Sequence, residues 1–223
     1  MIDSTPPPTV IDYYTDMLCV WAWIAQPRLE ELQRQWGNKI EIRHRYVDIF
    51  GDSHAKILQR WGQQEGFDRF STHVTASAAP FEDTPVHATI WKQVRPCSSM
   101  PAHLLLKAIG VMYDAASVQA LAARIRRAFF VDVQDISQLE LLLELAESQQ
   151  LDANALQGGV MDGRAMAGLS GDQQCARELG IKGSPTWVLN EGRQILYGNV
   201  GYRILNANIE ELLKRPAAEA SWC

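Results

Sequence analysis

The first residue in this chain that could do chemistry is a lone cysteine at the end of a predicted strand. Cys19 follows the β-forming residues 9–17 and stands where a predicted helix begins. Unpaired backbone N–H groups and the helix dipole favour a thiolate there, so we expect the pKa of Cys19 to lie below that of a free thiol. The thiolate is the nucleophilic form, which makes Cys19 the candidate catalytic residue. The alternative is a small, buried apolar residue without a chemical role.

The second informative segment is Gly183-Ser184-Pro185-Thr186, which enters a predicted strand after a helix. A proline directly before a strand is either an ordinary trans residue that opens an edge strand or a cis-proline. The presence of Cys19 upstream favours the cis form. We therefore expect a cis bond between Ser184 and Pro185, with the proline ring near the Cys19 sulfur.

The other cysteines carry no motif. Cys97, Cys175 and Cys223 are far from one another and from Cys19, without the spacing of a metal site or a redox pair. We expect Cys175 to pack within a helix and Cys223 to be an exposed terminal thiol. The sequence thus predicts no metal, no permanently bound cofactor and no structural disulfide, and any cysteine chemistry would fall to Cys19 alone.

The composition restricts the class of protein and its partners. Apolar residues make up 47% of the chain and charged residues 21%, with a formal net charge of −5. This apolar content is that of a folded domain, and no basic stripe is present for nucleic acid. No apolar run approaches the length of a membrane helix, and residues 1–9 lack the basic start and apolar core of a signal peptide. We expect a cytoplasmic protein without nucleic-acid or membrane partners, for which a homodimer is left open.

Two outer units must position these segments. The first is a strand at 9–17, a helix at 20–36 that Pro27 should kink or split, and a strand at 39–49. The last is a helix at 171–179, strands at 186–190 and 194–197, and a closing helix at 204–214. Together they predict a small mixed sheet with helices on its faces.

A helical block separates the two units. Helical spacing predicts helices at 53–66, 102–116, 117–130, 136–149 and 156–169. Ser53 is the expected N-cap of the first, and Ser137 with Glu140 predicts a capping box before the fourth. The block is best explained as an insertion into the outer sheet unit.

The segment Asp16-Met17-Leu18-Cys19-Val20-Trp21-Ala22-Trp23 resembles the active-site segment of DsbA-like proteins. The family pattern is Asp, two residues, Cys-Pro-Trp-Cys and an aromatic residue. The similarity is strongest to the FrnE-like branch, which includes 2-hydroxychromene-2-carboxylate isomerase and kappa-class glutathione transferases. Residues 180–188 resemble the family's cis-proline segment, and residues 99–106 and 130–145 resemble its helical insertion.

The resemblance covers about residues 9–214 and implies an α/β, thioredoxin-like fold with a large all-helical insertion. Residues 9–51 would form the first part of the thioredoxin-like domain and residues 171–215 its second part. Residues 52–170 would form the inserted helical domain.

The sequence departs from the family at two positions of the motif. Ala22 stands where redox members have their second cysteine, and Val20 stands where they have proline. A dithiol enzyme uses the second cysteine to release the substrate from a mixed disulfide, and this chain lacks that internal step. The resemblance therefore implies an enzyme in which Cys19 alone exchanges with glutathione or with another small thiol or disulfide substrate.

Two other functions stay open. One is a glutathione-dependent isomerase or transferase that acts on a small aromatic compound, since those relatives use a single serine near this position. The other is a non-catalytic binding protein with a thioredoxin fold. In either enzyme glutathione would be a co-substrate and not a bound cofactor.

The resemblance also implies a set of residues that bind the thiol or substrate. The backbone of Ser184 would pair with the peptide-like part of the ligand as an added strand. His103 lies at the start of an insertion helix that overlooks the site in this family, although a histidine there also serves as an ordinary helix residue bonded to backbone. Trp21, Ala22 and Pro185 complete the predicted set.

Overall fold

The computed structural model describes residues 7–214, so the expectations about Cys223 and residue 215 lie outside the described residues. Its strands are β1 (Thr9–Thr15), β2 (Ile40–Tyr46), β3 (Thr186–Leu189) and β4 (Gln194–Tyr197). Its α-helices are α1 (Val20–Ile24), α2 (Gln26–Trp36), α3 (Ser53–Trp61), α4 (Gly66–Ala78), α5 (Met100–Met112), α6 (Ala115–Phe130), α7 (Leu139–Glu147), α8 (Ala153–Met161), α9 (Arg164–Glu178) and α10 (Tyr202–Lys214).

The four strands form one sheet in the order β2-β1-β3-β4. β1 and β2 are parallel, so the chain must cross over between them, and α1 and α2 make this crossover. β3 runs antiparallel to both β1 and β4, and the β3–β4 pair is the predicted hairpin. The fold is therefore the α/β, thioredoxin-like fold that the sequence predicts, with helices inserted between β2 and β3.

The predicted helix at 20–36 is split, as Pro27 indicates. α1 ends at Ile24 and α2 begins at Gln26, with Pro27 in its first turn. Proline is tolerated there because the missing N–H would have no partner within the helix. The split leaves α1 only five residues long, directly after Cys19.

The predicted N-cap of α3 is wrong by one residue. The carboxylate of Asp52 accepts a hydrogen bond from the N–H of Ala55 at 2.9 Å and so caps the helix. Ser53 is buried, and its hydroxyl donates to the carbonyl oxygen of Pro96. Asp52 therefore caps the N-terminus of α3, while Ser53 connects α3 by a hydrogen bond to the segment before α5.

The predicted capping box is also wrong. The hydroxyl of Ser137 donates to the carboxylate of Asp135 at 2.6 Å, and the N-cap position of α7 falls on Gln138. A nearby carboxylate is a stronger acceptor than a hydroxyl, so Asp135 organises this turn. The predicted division at residue 170 lies inside the unbroken helix α9, and the division into domains stays a prediction.

The chain around the candidate site contributes residues to two hydrophobic clusters. Met17, Leu18 and Cys19 pack with buried residues of the helical block. Tyr13, before Cys19 in the chain, and Leu29, after it, belong to the cluster on the sheet. The helical block therefore shapes the surroundings of Cys19, while the sheet fixes its position.

Candidate active site

Cys19 occupies the N-cap position of α1 and is 7% exposed. Its Sγ donates a hydrogen bond to the carbonyl oxygen of Ser184 at 3.1 Å. The peptide bond that follows this carbonyl, between Ser184 and Pro185, is cis, which is the isomer that the sequence predicts. The two sequence motifs therefore meet at one point, although 165 residues separate Cys19 from Ser184.

The prediction of a depressed pKa for Cys19 is wrong. Burial raises the pKa of the thiol above its ordinary value of 9.0, because the charged thiolate loses hydration there. The side-chain hydroxyl of Ser184 and the backbone N–H groups of Ala22 and Trp21 act in the opposite direction, but they do not outweigh burial. The five residues of α1 also supply few aligned peptide dipoles.

Alkylation against pH tests this correction. We expect iodoacetamide to label Cys19 more slowly than the exposed Cys97 at about pH 7, since a raised pKa leaves little thiolate at that pH. The labelling rate of Cys19 should keep rising above about pH 9, because the thiolate fraction grows until the raised pKa is passed. Mass mapping of each cysteine measures both rates. Faster labelling of Cys19 with a midpoint below that of a free thiol would show that its N-cap position outweighs burial.

Cys19 opens into a cavity of about 400 Å³ that is bordered by α1, α3, α4 and the segment before β3. The cavity is lined by Cys19, Val20, Trp21, Ile49, Phe50, Lys56, Ile57, Arg60, Trp61, Phe70, His73, Lys182, Gly183 and Ser184. Two of the predicted contact residues, Trp21 and Ser184, are therefore placed on its wall. Ala22, His103 and Pro185 are buried and are not among the described residues that line it.

Every backbone N–H of the segment from Asp16 to Cys19 is held by a hydrogen bond. Asp16 donates to the hydroxyl of Ser184 at 2.9 Å, and Met17 donates to Nε2 of His103 at 3.1 Å. Leu18 donates to the carboxylate of Asp16 at 2.9 Å, and Cys19 donates to the carbonyl oxygen of Asp16 at 3.2 Å. The thiol is therefore carried by a fixed loop.

Asp16 is the central acceptor of the site, a role that the sequence did not reveal. Its carboxylate is fully buried and also accepts from the N–H groups of Ile49 (3.1 Å) and Phe50 (2.8 Å) and from the hydroxyl of Ser99 (2.9 Å). Asp16 therefore joins the cysteine loop to the cavity wall and to the start of α5. Its place in the motif was the available signal, but the partners come from distant segments.

His103 lies behind this loop and holds it in place. Its Nε2 accepts from the N–H of Met17, so that nitrogen carries no proton and the ring is neutral. Burial lowers the pKa of His103 below its ordinary value of 6.5, although Asp16 acts in the opposite direction. The ring stacks on Tyr46 with centroids 4.9 Å apart. The structure thus places His103 on the backbone of the motif, where it positions the cysteine loop.

The other described cysteines lie outside this arrangement. Cys19, Cys97 and Cys175 are all free, and the latter two are absent from the described lining of the cavity. Within residues 7–214 no group of three or more histidine, cysteine, aspartate or glutamate side chains could hold a metal ion. No helix in the same range has both the length and the apolar character needed to cross a membrane.

Comparison with protein families gives one match that spans most of the chain. The sequence model of the DSBA-like thioredoxin domain matches residues 10–210. This range contains the Cys19 segment, the inserted helices and the Pro185 segment. A curated relative, the ClpXP adapter protein SpxH of Halalkalibacterium halodurans, is 25% identical over 214 residues, which are 92% of this chain and 68% of that protein.

Solved structures share the fold. The cytosolic disulfide reductase DsbM from Pseudomonas aeruginosa has a TM-score of 0.70 and 21% identity, and the match covers 90% of this chain and 98% of that one. The same reductase has been solved with GSH. The structure of 2-hydroxychromene-2-carboxylate isomerase has a TM-score of 0.67 and 19% identity, over 95% of this chain and all of that one.

Proposed function

The chain belongs to the family of DSBA-like thioredoxin domains, and from that premise we propose that it is a thiol–disulfide exchange enzyme that works through Cys19 alone. Members of this family are oxidoreductases or isomerases. The proposed partner is glutathione or another small thiol or disulfide, and the proposed setting is a reducing compartment such as the cytoplasm.

One observation carries the proposal. The thiol of Cys19 lies on the wall of a cavity and 3.1 Å from the carbonyl oxygen of Ser184, beside the cis bond to Pro185. A peptide-like ligand in the cavity could pair with this backbone as an added strand and bring its sulfur to Cys19. Ala22, at the third position of α1, offers no second thiol.

The reaction consists of two exchanges. The sulfur of Cys19 attacks one sulfur of glutathione disulfide, a Cys19–glutathione disulfide forms, and the other glutathione leaves as a thiolate that takes the proton lost by Cys19. An external thiol then attacks the mixed disulfide and restores the Cys19 thiol. The product is a new disulfide between the external thiol and glutathione, so atoms and electrons balance.

The raised pKa of Cys19 affects the rate of the first exchange. Little thiolate is present at neutral pH, but a thiolate of high pKa is intrinsically the stronger nucleophile. The rate of mixed-disulfide formation should therefore increase with pH through the neutral range.

The same raised pKa favours a second candidate function. A Cys19 that stays protonated can donate its S–H to a bound thiolate, as it now donates to the carbonyl oxygen of Ser184. In that case glutathione would be the activated sulfur of an isomerase or transferase. The two functions differ in whether Cys19 becomes covalently linked to glutathione.

Incubation with glutathione disulfide, followed by intact mass measurement and peptide mapping, tests the proposal. We expect peptide mapping to find glutathione on Cys19, beside any adduct on the exposed Cys97, and the Cys19 adduct should persist until an external thiol is added. Cys19→Ser should lose this adduct, while the matched variant Cys97→Ser should keep it, because Cys97 is exposed and lies outside the described lining of the cavity.

Other outcomes contradict the proposal in distinguishable ways. Saturable binding of glutathione without an adduct on Cys19 would favour the isomerase or transferase. If glutathione neither forms an adduct nor binds, the third function, a non-catalytic binding protein, would be favoured. That function has a parallel in the curated relative, which is named as an adapter protein.

A further inference from the structure

The charges around the cavity are of one sign. Lys56 and Arg60 on α3 and Lys182 before the Ser184 segment all line it, and none of its described lining residues is aspartate or glutamate. This is notable in a chain whose formal net charge is −5. A cavity lined by one sign of charge attracts ligands of the opposite sign.

The three cations do not form ion pairs with other residues in the range 7–214. Within the described residues none of them lies within ion-pair distance of a carboxylate, unlike Lys107 and Arg45, which both pair with Asp172. Lys56 is half-buried, with its Nζ 5.3 Å from the centroid of the Phe50 ring. Arg60 and Lys182 are exposed. Their charges are therefore available to a ligand in the cavity.

The wall behind Arg60 is aromatic. Trp61 lies against His73 with ring centroids 5.0 Å apart and against Phe70 at 5.8 Å. Burial and the nearby Arg60 hold the pKa of His73 below its ordinary value of 6.5, so this ring adds no charge at neutral pH. The cavity thus combines one thiol, an aromatic wall and three cations that pair with no described carboxylate.

We propose that Lys56, Arg60 and Lys182 select low-molecular-mass disulfides that carry carboxylates, and that neutral and cationic disulfides are poor substrates of Cys19. This inference rests on the proposed function, since the selected ligand must bring its sulfur to Cys19. The cavity volume of about 400 Å³ suits a ligand of this size.

Three small disulfides of similar size test the proposal: dithiodipropionate with two carboxylates, hydroxyethyl disulfide without charge, and cystamine with two ammonium groups. The rate of mixed-disulfide formation at Cys19 is measured by peptide mapping and divided by the rate at Cys97 in the same sample. This ratio removes the intrinsic reactivity of each disulfide. We expect the ratio for dithiodipropionate to exceed that for hydroxyethyl disulfide by about tenfold at low salt, with cystamine lowest.

Removal of the cations should abolish the preference. In the triple variant Lys56→Gln, Arg60→Gln, Lys182→Gln the ratios for the three disulfides should become equal within about twofold, as they should for the natural chain at high salt. A control triple variant, Lys39→Gln, Arg203→Gln, Lys214→Gln, loses the same total charge at residues that do not line the cavity. It should keep the preference.

The outcomes separate this inference from the proposed function. Adducts on Cys19 with no preference for dithiodipropionate would overturn charge selection and leave monothiol exchange standing. If no disulfide reacts at Cys19, the proposed function fails, and binding of dithiodipropionate to Cys19→Ser decides the inference. If dithiodipropionate quenches the tryptophan fluorescence of Cys19→Ser saturably, and the cavity triple variant in the same background loses this quenching, charge selection is supported. Absence of quenching in Cys19→Ser would overturn it.

Discussion

Replacing Ala22 by cysteine should shorten the lifetime of a Cys19 mixed disulfide by about 100-fold or more, because the introduced thiol attacks from within the same molecule. Cys19 is the N-cap and Ala22 the third residue of α1, and the N–H of Ala22 donates to the carbonyl oxygen of Cys19 at 3.1 Å. Residues three apart on a helix face the same side. The variant should therefore release glutathione and close a bond between residues 19 and 22.

The measurement is the decay of the glutathione adduct by intact mass in the absence of external thiol. The natural chain should keep its adduct, and Ala22→Cys should convert to an intramolecular disulfide. Ala25→Cys is a matched control, because Ala25 is also buried and lies at the end of α1, six residues from Cys19. It should not release the adduct.

Two results would contradict this expectation. Rapid loss of the adduct from the natural chain would show that Cys97, Cys175 or Cys223 already acts as the second thiol. A folded Ala22→Cys variant that never closes its disulfide would show that the buried side chain at position 22 points away from Cys19. Ala22→Ser adds an atom of similar size without a thiol, so its thermal stability shows how much of any destabilisation comes from packing alone.

The meeting of Cys19 with Ser184 could be predicted from the sequence because it depends on strand order. β1 ends just before the cysteine loop and β3 begins just after Pro185. In the sheet these strands are antiparallel neighbours, with Tyr14 opposite Thr186. The end of one strand is therefore beside the start of the other, and both motifs are carried to the same edge.

The electrostatics of the site could not be predicted in this way. The pKa of Cys19 depends on how much water the inserted helices exclude, and no local pattern records that burial. Likewise, Lys56 and Arg60 line the cavity from α3, whose position depends on its packing against α4. Spacing in the sequence predicts that α3 is a helix, but not which of its charged residues face the thiol.

Replacing the central acceptor Asp16 by asparagine should destabilise the fold by about 3 kcal/mol and slow the reaction at Cys19. The carboxylate is fully buried and accepts four hydrogen bonds, from three backbone N–H groups and the hydroxyl of Ser99. An asparagine amide replaces one accepting oxygen by a donating NH₂ group. Either Leu18 or the Ile49–Phe50 pair would then face a donor, and a buried unpaired N–H costs about 1–3 kcal/mol.

The loss of these hydrogen bonds should also slow formation of the glutathione adduct at Cys19. The reason is that Asp16 fixes both the loop that carries Cys19 and the cavity wall that contains Phe50. Urea unfolding measures the stability, and the rate of glutathione adduct formation measures the site. Asp48→Asn makes the same change at an exposed position close to this wall, and it should alter stability by less than about 0.5 kcal/mol. If Asp16→Asn unfolds like the natural chain, the four donors are satisfied by other acceptors and the carboxylate is not the element that holds the site together. If stability falls but the adduct forms at the natural rate under folding conditions, the loop keeps its geometry without Asp16, and His103 and Ser184 are sufficient to position the thiol.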